Sequence, residues 1–490
     1  MPLKTKLAVA GAVAFAVIAF LGVTRAQAPA AKPPAAKPLS ELGRTLSGIA
    51  ANAPGGGQVG VAVSDVLSGT EIYAFNGDAQ LNPASNTKVI TAAAALAKLG
   101  PEFRFWTSLH GEREGAAIRG PVYLKGHADP TLCSADLWAM AVELKTMGVR
   151  RVEGDVVVDD TYFDEQNLPY AYDQQPDEDN RFRAPVGAAS LNENALAITV
   201  GPGSLGMERA RVALDPPGYA TLVNDAITVG QGSSDLKIAA ETIDGRQRVR
   251  VYGAVQLGSR PVTYYRRIDD PSLFTGYGVK AALEGAGIAV GGDVRVGPLP
   301  PGVPLLAEHA SPALSSVLWE TGKMSNNFVT EMVLKTIGAE AGKGPGTWAN
   351  ATAEVASVLA SWGLAPGSYT YRNGSGLFDA NRVSARQLVR LLCGAYLDVA
   401  IRPEFLTQLA TGGADGTIGE RYRGPSTKRR VRAKTGTLAD VSALSGYVFD
   451  AEGRRPVAFS ILVNKAPGYV SAARGYEEKI VTAIAGFLNK

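Results

Sequence analysis

Three short motifs in the chain carry the residue types that acyl transfer needs. They read S-N-T-K at residues 85–88, S-N-N at residues 325–327 and K-T-G at residues 434–436. The first supplies a hydroxyl and an amine, the second a hydroxyl and a carboxamide, and the third another amine beside a glycine. A nucleophile, a base for its proton and polar groups that hold a substrate are the parts of covalent catalysis at a carbonyl.

Ser85 and Lys88 are the predicted nucleophile and general base. Residues 85–99 have an Ala-rich apolar pattern that predicts a helix, and on a helix residues three apart share a face. Serine is a weak nucleophile until a base takes its proton, so Lys88 needs a lowered pKa. Burial and the nearby charge of Lys434 would both lower it. The backbone N–H groups of Ser85 and Thr437 are the predicted oxyanion donors.

The third motif predicts substrate capture. An extended peptide can lie antiparallel to an edge strand, and Gly436 lets the substrate backbone come close. Lys434, with the hydroxyl of Thr435 or Thr437, is predicted to hold a terminal carboxylate.

The second motif supplies an amide and a proton relay. Asn327 can hydrogen-bond a substrate peptide group, and Ser325 can pass a proton between Lys88 and the leaving amine. Single motifs are weak signals, since S-D-L-K at residues 234–237 and S-L-N at residues 190–192 also fit. The former lies in a β-like run, where residues three apart point to opposite faces, and the latter is predicted as a turn. The hypothesis therefore rests on three motifs in order.

The elements that must position these motifs fall into two kinds. The outer parts of the chain have helical patterns, whereas residues 103–304 are mainly short β-like runs between Gly and Pro turns. This pattern predicts one domain split by a long insertion, which succeeds where both ends emerge together. We expect a hairpin at residues 58–75, helices at 39–53, 85–99, 312–337, 348–362, 385–396 and 472–488, and strands at 429–433, 442–449 and 456–463.

Composition fits a globular enzyme. The 490 residues are 46% hydrophobic, and the net charge of +3 comes from scattered basic residues, which argues against a nucleic-acid partner. The two cysteines, Cys133 and Cys393, lie far apart and are expected to be free thiols. The three histidines share no short motif with one another or with a cysteine, so no zinc site is predicted.

The N-terminus predicts export. Two lysines precede an apolar run at residues 7–23, and small residues follow, which is the order of a secretory signal. We predict a signal peptide at residues 1–30 and an Ala/Pro linker at residues 31–38. Cleavage would release the protein into the periplasm or cell envelope, and an uncleaved N-terminal membrane anchor is the alternative.

With these motifs, the chain resembles the class C low-molecular-weight penicillin-binding proteins, the D-alanyl-D-alanine carboxypeptidase/endopeptidases of the penicillin-binding protein four type. The resemblance covers about residues 40–488. Asn373 departs from it, because the family usually has Asp there, and Asn keeps the turn but drops the charge. The other family-like stretches are G-H-A-D-P-T-L at 126–132, S-L-N-E-N at 190–194, N-G-S-G-L at 373–377 and K-T-G-T-L at 434–438. Within the first, D-P-T at 129–131 is predicted as a helix-start turn.

The resemblance implies an α/β (α+β) fold. A penicillin-binding/β-lactamase-like transpeptidase domain with a helical subdomain would be interrupted by a mainly-β insertion of two nested domains. The implied limits are residues 39–105 and 305–490 for the D,D-peptidase domain, 106–185 and 265–304 for inserted domain II, and 186–264 for nested domain III.

The resemblance also implies the reaction. Ser85 would attack the carbonyl of the penultimate D-Ala of a peptidoglycan stem, form an acyl-enzyme and release D-Ala or a cross-linked neighbour. β-Lactams would acylate the same serine, and no metal or organic cofactor is expected.

One acidic residue of the insertion is a further candidate. In the resembling family such a residue faces the substrate, and Asp177 is the best match by its distance before A-P at residues 184–185. A carboxylate there would pair with the free amino group of a diaminopimelate stem. The acidic cluster at residues 173–179 is equally compatible with a solvated loop.

Two other functions remain open at the level of sequence. A serine β-lactamase would use the same three motifs but is normally shorter and lacks the long insertion. An envelope scaffold or β-lactam sensor would bind penicillin without peptide turnover, although the intact motifs argue against a decayed site.

Replacing Ser85 with alanine is expected to abolish both fluorescent-penicillin labelling and peptide cleavage, because the alanine has no hydroxyl to acylate. The fold should survive, which circular dichroism would show. Covalent labelling that persists in Ser85→Ala would contradict the assignment of the nucleophile.

Overall fold

A computed structural model describes residues 39–243, 246–342 and 344–489. The predicted signal peptide and linker lie outside the described residues. Within the described ranges, no helix combines the length and apolar character needed to cross a membrane.

The described chain alternates helices and strands. The helices are α1 (Leu39–Ala50), α2 (Thr87–Leu99), α3 (Ser134–Thr146), α4 (Pro271–Gly285), α5 (Leu314–Gly322), α6 (Asn327–Glu340), α7 (Trp348–Ser361), α8 (Ala385–Leu397), α9 (Arg402–Gln408) and α10 (Val470–Leu488). The strands are β1 (Gln58–Asp65), β2 (Glu71–Phe75), β3 (Trp106–Glu114), β4 (Ala117–His127), β5 (Arg151–Val152), β6 (Val156–Asp159), β7 (Ala195–Gly201), β8 (Arg211–Asp215), β9 (Thr221–Val229), β10 (Asp235–Ile243), β11 (Arg246–Gln256), β12 (Val262–Arg267), β13 (Ala289–Val290), β14 (Val294–Val296), β15 (Leu305–Ala310), β16 (Ala410–Thr411), β17 (Val431–Leu438), β18 (Val441–Phe449) and β19 (Pro456–Asn464).

A six-stranded antiparallel sheet joins the two ends of the chain. Its order is β16-β17-β18-β19-β1-β2, so the N-terminal hairpin pairs with strands from the C-terminal part. Every residue of β19 is buried, because Phe459 and Ile461 face one apolar cluster with α1 and α10 while Ala458 and Leu462 face another with α8. Alternation along a strand sends neighbouring side chains to opposite faces, so helices cover both sides of this sheet.

A helical layer surrounds α2 on one side of the sheet. Residues 87–96 of α2 are all buried, and the helix packs against α5, α6, α7 and α9. The run of four alanines at residues 92–95 lets these helices approach α2 closely. The predicted helical subdomain is therefore present, with the first motif at its centre.

The middle of the chain forms separate sheets, as the predicted mainly-β insertion requires. One sheet has seven strands, β3 to β6 and β13 to β15, and α3 and α4 pack against it. Two three-stranded sheets, β12-β7-β8 and β10-β11-β9, follow within the insertion. The exact domain limits remain a proposal. Because β15 pairs with β3, we propose that the insertion ends near residue 311 rather than at residue 304.

Two helix predictions are corrected. The expected helix at residues 85–99 starts instead as a 3₁₀ turn, Ala84–Asn86, and becomes α-helical at Thr87. The expected helix at residues 312–337 is two helices, because Ser325 has a φ of 63° and Asn326 caps α6 by accepting the N–H of Val329 at 3.1 Å. A side chain that caps a helix start favours the beginning of a new helix over continuation of the preceding one.

The motif-like copies in the insertion are structurally ordinary. Lys237 lies on β10, while Ser234 lies just before that strand. Residues 190–192 lead into a 3₁₀ turn, Asn192–Asn194, as predicted for a turn. The buried Asp129 accepts the N–H of Thr131 at 2.8 Å, which is a turn shortly before α3. Cys133 and Cys393 are both free.

Two glycines let neighbouring segments close on the turn that carries Ser85. At Gly436 a Cβ would lie 2.7 Å from the carbonyl oxygen of Pro83, so β17 packs directly against this turn. At Gly376 a Cβ would overlap the carbonyl oxygen of Ala84, and the φ of 75° also favours glycine. The structure adds this packing against the turn to the predicted role of Gly436 toward the substrate backbone, and that role stays a prediction.

Gly376→Ala is expected to lower the free energy of unfolding by about 2–4 kcal/mol, because the new methyl group meets backbone that cannot move and the φ is unfavourable. Gly367→Ala is the matched control. Gly367 has a φ of 81° but nothing within 4 Å of a built Cβ, so only the conformational penalty remains. Urea denaturation would measure both variants, and equal losses would contradict the close packing at Gly376.

Candidate active site

Ser85 is held in a strained, well-supported turn. Ala84, the residue before it, has a φ of 46°, which is rare for a residue with a Cβ. Asn82 Oδ1 accepts the N–H of Ala84 at 2.8 Å, and Thr87 Oγ1 donates to the Ala84 carbonyl at 2.8 Å. These side-chain bonds fix the turn, and the strain they maintain presents the Ser85 hydroxyl to the cleft.

The Lys88 amine lies at the centre of three oxygen atoms. Lys88 is 1% exposed, and its Nζ lies 2.9 Å from Ser85 Oγ, 2.7 Å from Asn327 Oδ1 and 2.7 Å from the carbonyl oxygen of Ser375. A neutral amine has two protons and one lone pair. The Asn327 and Ser375 oxygens can only accept, so the lone pair is left for the Ser85 proton.

Burial lowers the pKa of Lys88 well below that of free lysine. The positive charge of Lys434 lowers it further, whereas the carboxylate of Glu331 opposes the shift. The two causes that lower the pKa are those expected from the sequence. Lys88 can therefore be neutral at a pH where an exposed lysine is charged.

Ser325 and Lys434 form a second polar pair. Lys434 is fully buried on β17, and its Nζ donates to Ser325 Oγ at 2.8 Å and to the Thr435 carbonyl at 2.9 Å. Burial lowers the pKa of Lys434 to about 7. Lys434 therefore sits behind Ser325, and its amine acts on the cleft through that hydroxyl and through its charge.

Asn327 connects the helical layer to the insertion. Its Oδ1 accepts from Lys88, and its Nδ2 donates to the carbonyl of Phe182 at 3.0 Å. An amide nitrogen carries two protons, so one N–H of Asn327 remains for another acceptor. The segment around Phe182 thus forms one wall beside the motif residues.

A cavity of about 360 Å³ opens beside the motif residues. β16 pairs only with Arg432 and Ala433, and among the described residues no strand pairs with the edge of β17 at residues 435–437, which line the cavity. Backbone N–H and C=O groups on such an edge can pair with an extended peptide. The residues that line the cavity are Ser85, Thr417, Ser325, Arg421, Thr435, Gly436, Thr437, Ser442, Ala443, Arg474 and Glu477.

Asp177 is not part of that lining. Its side chain is exposed, and no hydrogen bond or ion pair joins it to another residue in the described part of the chain. Its neighbours Gln175 and Phe182 line a second cavity, of about 560 Å³, together with Asp379 and Asp440. The role of Asp177 therefore stays a prediction.

A buried carboxylate near Lys88 was missed in the sequence. Glu331 is fully buried on α6, and it accepts the N–H of Gly374 at 3.1 Å and of Ser375 at 2.8 Å. It thereby positions the Ser375 carbonyl against Lys88. The available signal was its spacing, because residues four apart on a helix share a face and Glu331 follows Asn327 by four.

Asn373 uses the amide that distinguishes it from Asp. Its Nδ2 donates to the carbonyls of Tyr170 at 3.0 Å and Leu377 at 3.2 Å, while its Oδ1 accepts the N–H of Gly376 at 2.9 Å. A carboxylate would accept the last bond but repel the two carbonyls. In this chain the residue holds a loop of the insertion through Tyr170.

The fold and site define a penicillin-binding/β-lactamase-like protein. Penicillin-binding protein 4 of Haemophilus influenzae has a similar structure, with a TM-score of 0.74 and 23% identity over 93% of this chain and 100% of that one. The D-alanyl-D-alanine carboxypeptidase of Actinomadura sp. (strain R39) is 37% identical over 88% of this chain and 82% of its own length. The D-alanyl-D-alanine carboxypeptidase DacB of Haemophilus influenzae is 25% identical over 86% of this chain and 88% of its own length.

The family match covers nearly the whole described chain. The D-Ala-D-Ala carboxypeptidase 3 (S13) family matches residues 42–487, and the chain belongs to this family. It is therefore a hydrolase of the peptidase class, which confirms the class of enzyme expected from the motifs.

The two lowered lysine pKa values predict a bell-shaped pH dependence of penicillin acylation. Neutral Lys88 forms as pH rises through its lowered pKa, so the acylation rate should rise with pH on that limb. Lys434 loses its charge above a pKa of about 7, so attraction of the ligand carboxylate falls there. Stopped-flow acylation from about pH 5 to pH 10 would measure both limbs.

The alkaline limb has a ligand control. An acyl donor without a carboxylate should lose the fall above about pH 7 but keep the limb on which the rate rises with pH. A rate that stays flat across the whole range would contradict Lys88 as the base.

Proposed function

We propose that this protein is a serine-type D-Ala-D-Ala carboxypeptidase and endopeptidase that hydrolyses peptidoglycan stem peptides and cross-links through an acyl-enzyme on Ser85. The observation that carries the proposal is the buried amine of Lys88, 2.9 Å from Ser85 Oγ, with two carbonyl-type oxygens taking its protons. Membership of the S13 family and the named activity of the Actinomadura relative support the same substrate class.

Acylation begins when Lys88 takes the proton of Ser85. The Ser85 oxygen then forms a bond to the carbonyl carbon of the penultimate D-Ala, and the carbonyl oxygen becomes an oxyanion. The backbone N–H groups of Ser85 and Thr437 are the proposed donors to that oxyanion. Both residues line the same cavity.

Collapse of the tetrahedral intermediate breaks the peptide C–N bond. The leaving amine needs a proton, which Lys88 holds and Ser325 can pass on. Ser325 Oγ lies 2.8 Å from Lys434 Nζ, so that cation polarises the relay hydroxyl. Water then attacks the ester and gives a proton to Lys88, and as the bond between the acyl carbon and Ser85 Oγ breaks, Lys88 returns that proton to Ser85.

Substrate recognition uses β17 and Asn327. The open edge from Lys434 onward can pair with an extended stem peptide, and Thr435 and Thr437 present hydroxyls to its terminal carboxylate. The free N–H of Asn327 can donate to a peptide carbonyl of the stem. A β-lactam has a reactive carbonyl and a carboxylate in similar relation, so it is the expected covalent inhibitor of Ser85.

The proposed place of action is the cell envelope. The predicted signal peptide would export the chain, and peptidoglycan is found there. The proposed steps use only side-chain and backbone groups of the protein.

Membership of a carboxypeptidase family favours this function over a β-lactamase.

The test is product analysis on purified muropeptides with the wild type and Ser85→Ala. Release of D-Ala from pentapeptide stems and opening of cross-links, both absent in Ser85→Ala, would support the proposal. Rapid turnover of penicillin without peptide cleavage would indicate a β-lactamase instead. Penicillin labelling without turnover of either ligand would indicate an envelope scaffold or sensor.

Asp177→Asn is expected to weaken cleavage of diaminopimelate peptides by about 10-fold while penicillin acylation stays nearly unchanged, because penicillin lacks the amino group that this carboxylate would pair with. The measurement is kcat/KM for the peptide beside the acylation rate for penicillin.

Asp173→Asn is the matched control, since Asp173 is an exposed carboxylate of the same acidic cluster. Its variant should resemble the wild type with both ligands. Equal losses with peptide and penicillin, or no loss with either, would exclude this role for Asp177.

A further inference from the structure

One side of the active-site cavity is built by residues outside the three motifs. Arg421, Arg474 and Glu477 line it together with Thr437 of β17. Arg474 and Glu477 lie on α10, the helix that covers the sheet behind the motif strand. Two guanidinium groups therefore stand beside the strand that is proposed to receive the end of the substrate.

Arg421 is already neutralised. Its Nη2 lies 2.9 Å from Glu477 Oε2, and its Nε lies 2.7 Å from Glu478 Oε1. Glu477 is fully buried, and its other oxygen accepts the hydroxyl of Ser442 at 2.6 Å. Both carboxylates are thus committed to Arg421, and this group acts as a fixed support for the cavity wall.

Arg474 makes fewer polar contacts than Arg421, although its positive charge also acts on the buried carboxylate of Glu477. It is exposed, and its Nη2 reaches Thr437 Oγ1 at 3.4 Å. Across residues 39–243, 246–342 and 344–489, no carboxylate forms an ion pair with its guanidinium. An arginine offers five N–H donors in a planar fork that matches the two oxygens of a carboxylate.

The amine of Lys434 does not line the cavity, so a second cation can bind the substrate carboxylate there. The Lys434 amine is buried behind the strand and donates to Ser325 and to the Thr435 carbonyl. The charge of Lys434 would therefore attract a substrate carboxylate in the cavity. The groups that line the cavity and could bind the carboxylate directly are the guanidinium of Arg474 and the hydroxyl of Thr437.

We propose that Arg474 binds the free carboxylate of the residue that leaves when the acyl-enzyme forms, together with the hydroxyl of Thr437. The proposal rests on the proposed function, because it assigns a partner to the leaving group of that reaction. It makes Arg474 a substrate-binding residue that selects peptides with an unblocked carboxylate beside the cleaved bond.

The experiment compares two thioester substrates with the same acyl group. The leaving thiol carries a carboxylate in one and a methyl ester of that carboxylate in the other. The measured quantity is the ratio of kcat/KM for the acid to that for the ester. Arg474→Gln should reduce this ratio by about 10- to 100-fold, since a charge-assisted hydrogen-bonded pair is lost.

Two further variants sharpen the result. Arg474→Lys keeps the charge but loses the fork, so its ratio should fall between wild type and Arg474→Gln, and it tests the site even where the glutamine variant is unstable. Lys479→Gln removes an exposed charge from the same helix and should keep the wild-type ratio.

The experiment distinguishes a wrong role for Arg474 from a wrong proposed function. A wild-type ratio retained in Arg474→Gln, with both thioesters still cleaved, would overturn the role of Arg474 alone. If the wild-type enzyme cleaves neither thioester and Ser85 is not acylated, the proposed function and the Arg474 site are overturned together.

Discussion

The rest of the structure depends on keeping one amine out of water. The Nζ of Lys88 is enclosed by Ser85, by Asn327 on α6 and by the carbonyl of Ser375, and each of these comes from a different part of the chain. A buried polar group without partners is strongly unfavourable, so all three hydrogen-bonding partners must be in place. The burial of α2 and the backbone bonds of Glu331 serve this enclosure.

The insertion forms hydrogen bonds with the residues that surround Lys88 and with the loop that carries Ser375. Phe182 offers its carbonyl to Asn327, Tyr172 lies 3.1 Å from Ser375 Oγ, and Tyr170 accepts from Asn373. Arg183, which is 2% exposed, donates to the carbonyls of Tyr172, Pro176 and Glu178 and so holds this segment in shape. The inserted region is therefore structural support for the motif residues as well as a candidate for substrate contact.

The sequence predicted the pairing of nucleophile and base because that pairing depends on residues close together in the chain. Ser85 and Lys88 meet through local geometry, and the strands β17 to β19 follow patterns of apolar residues. It missed the break at Ser325, since one residue with a positive φ leaves no periodic signal. It also missed Arg474, because its nearness to Thr437 follows from the packing of α10 on the sheet, which no local pattern encodes. The packing of Gly436 against the turn was missed for the same reason, because that turn is distant in sequence, and its predicted role toward the substrate stays a prediction.

The order in which the chain is made has a consequence for when its serine can react. The partners of Lys88 lie 239 and 287 residues further along the sequence, and β1 finds its neighbour β19 only near the end of the chain. Contacts of such long range form late in folding. A partly synthesised chain therefore has a lysine in water, charged and unable to activate the serine. Reactivity of Ser85 toward an acylating compound therefore requires that these distant segments have already come together.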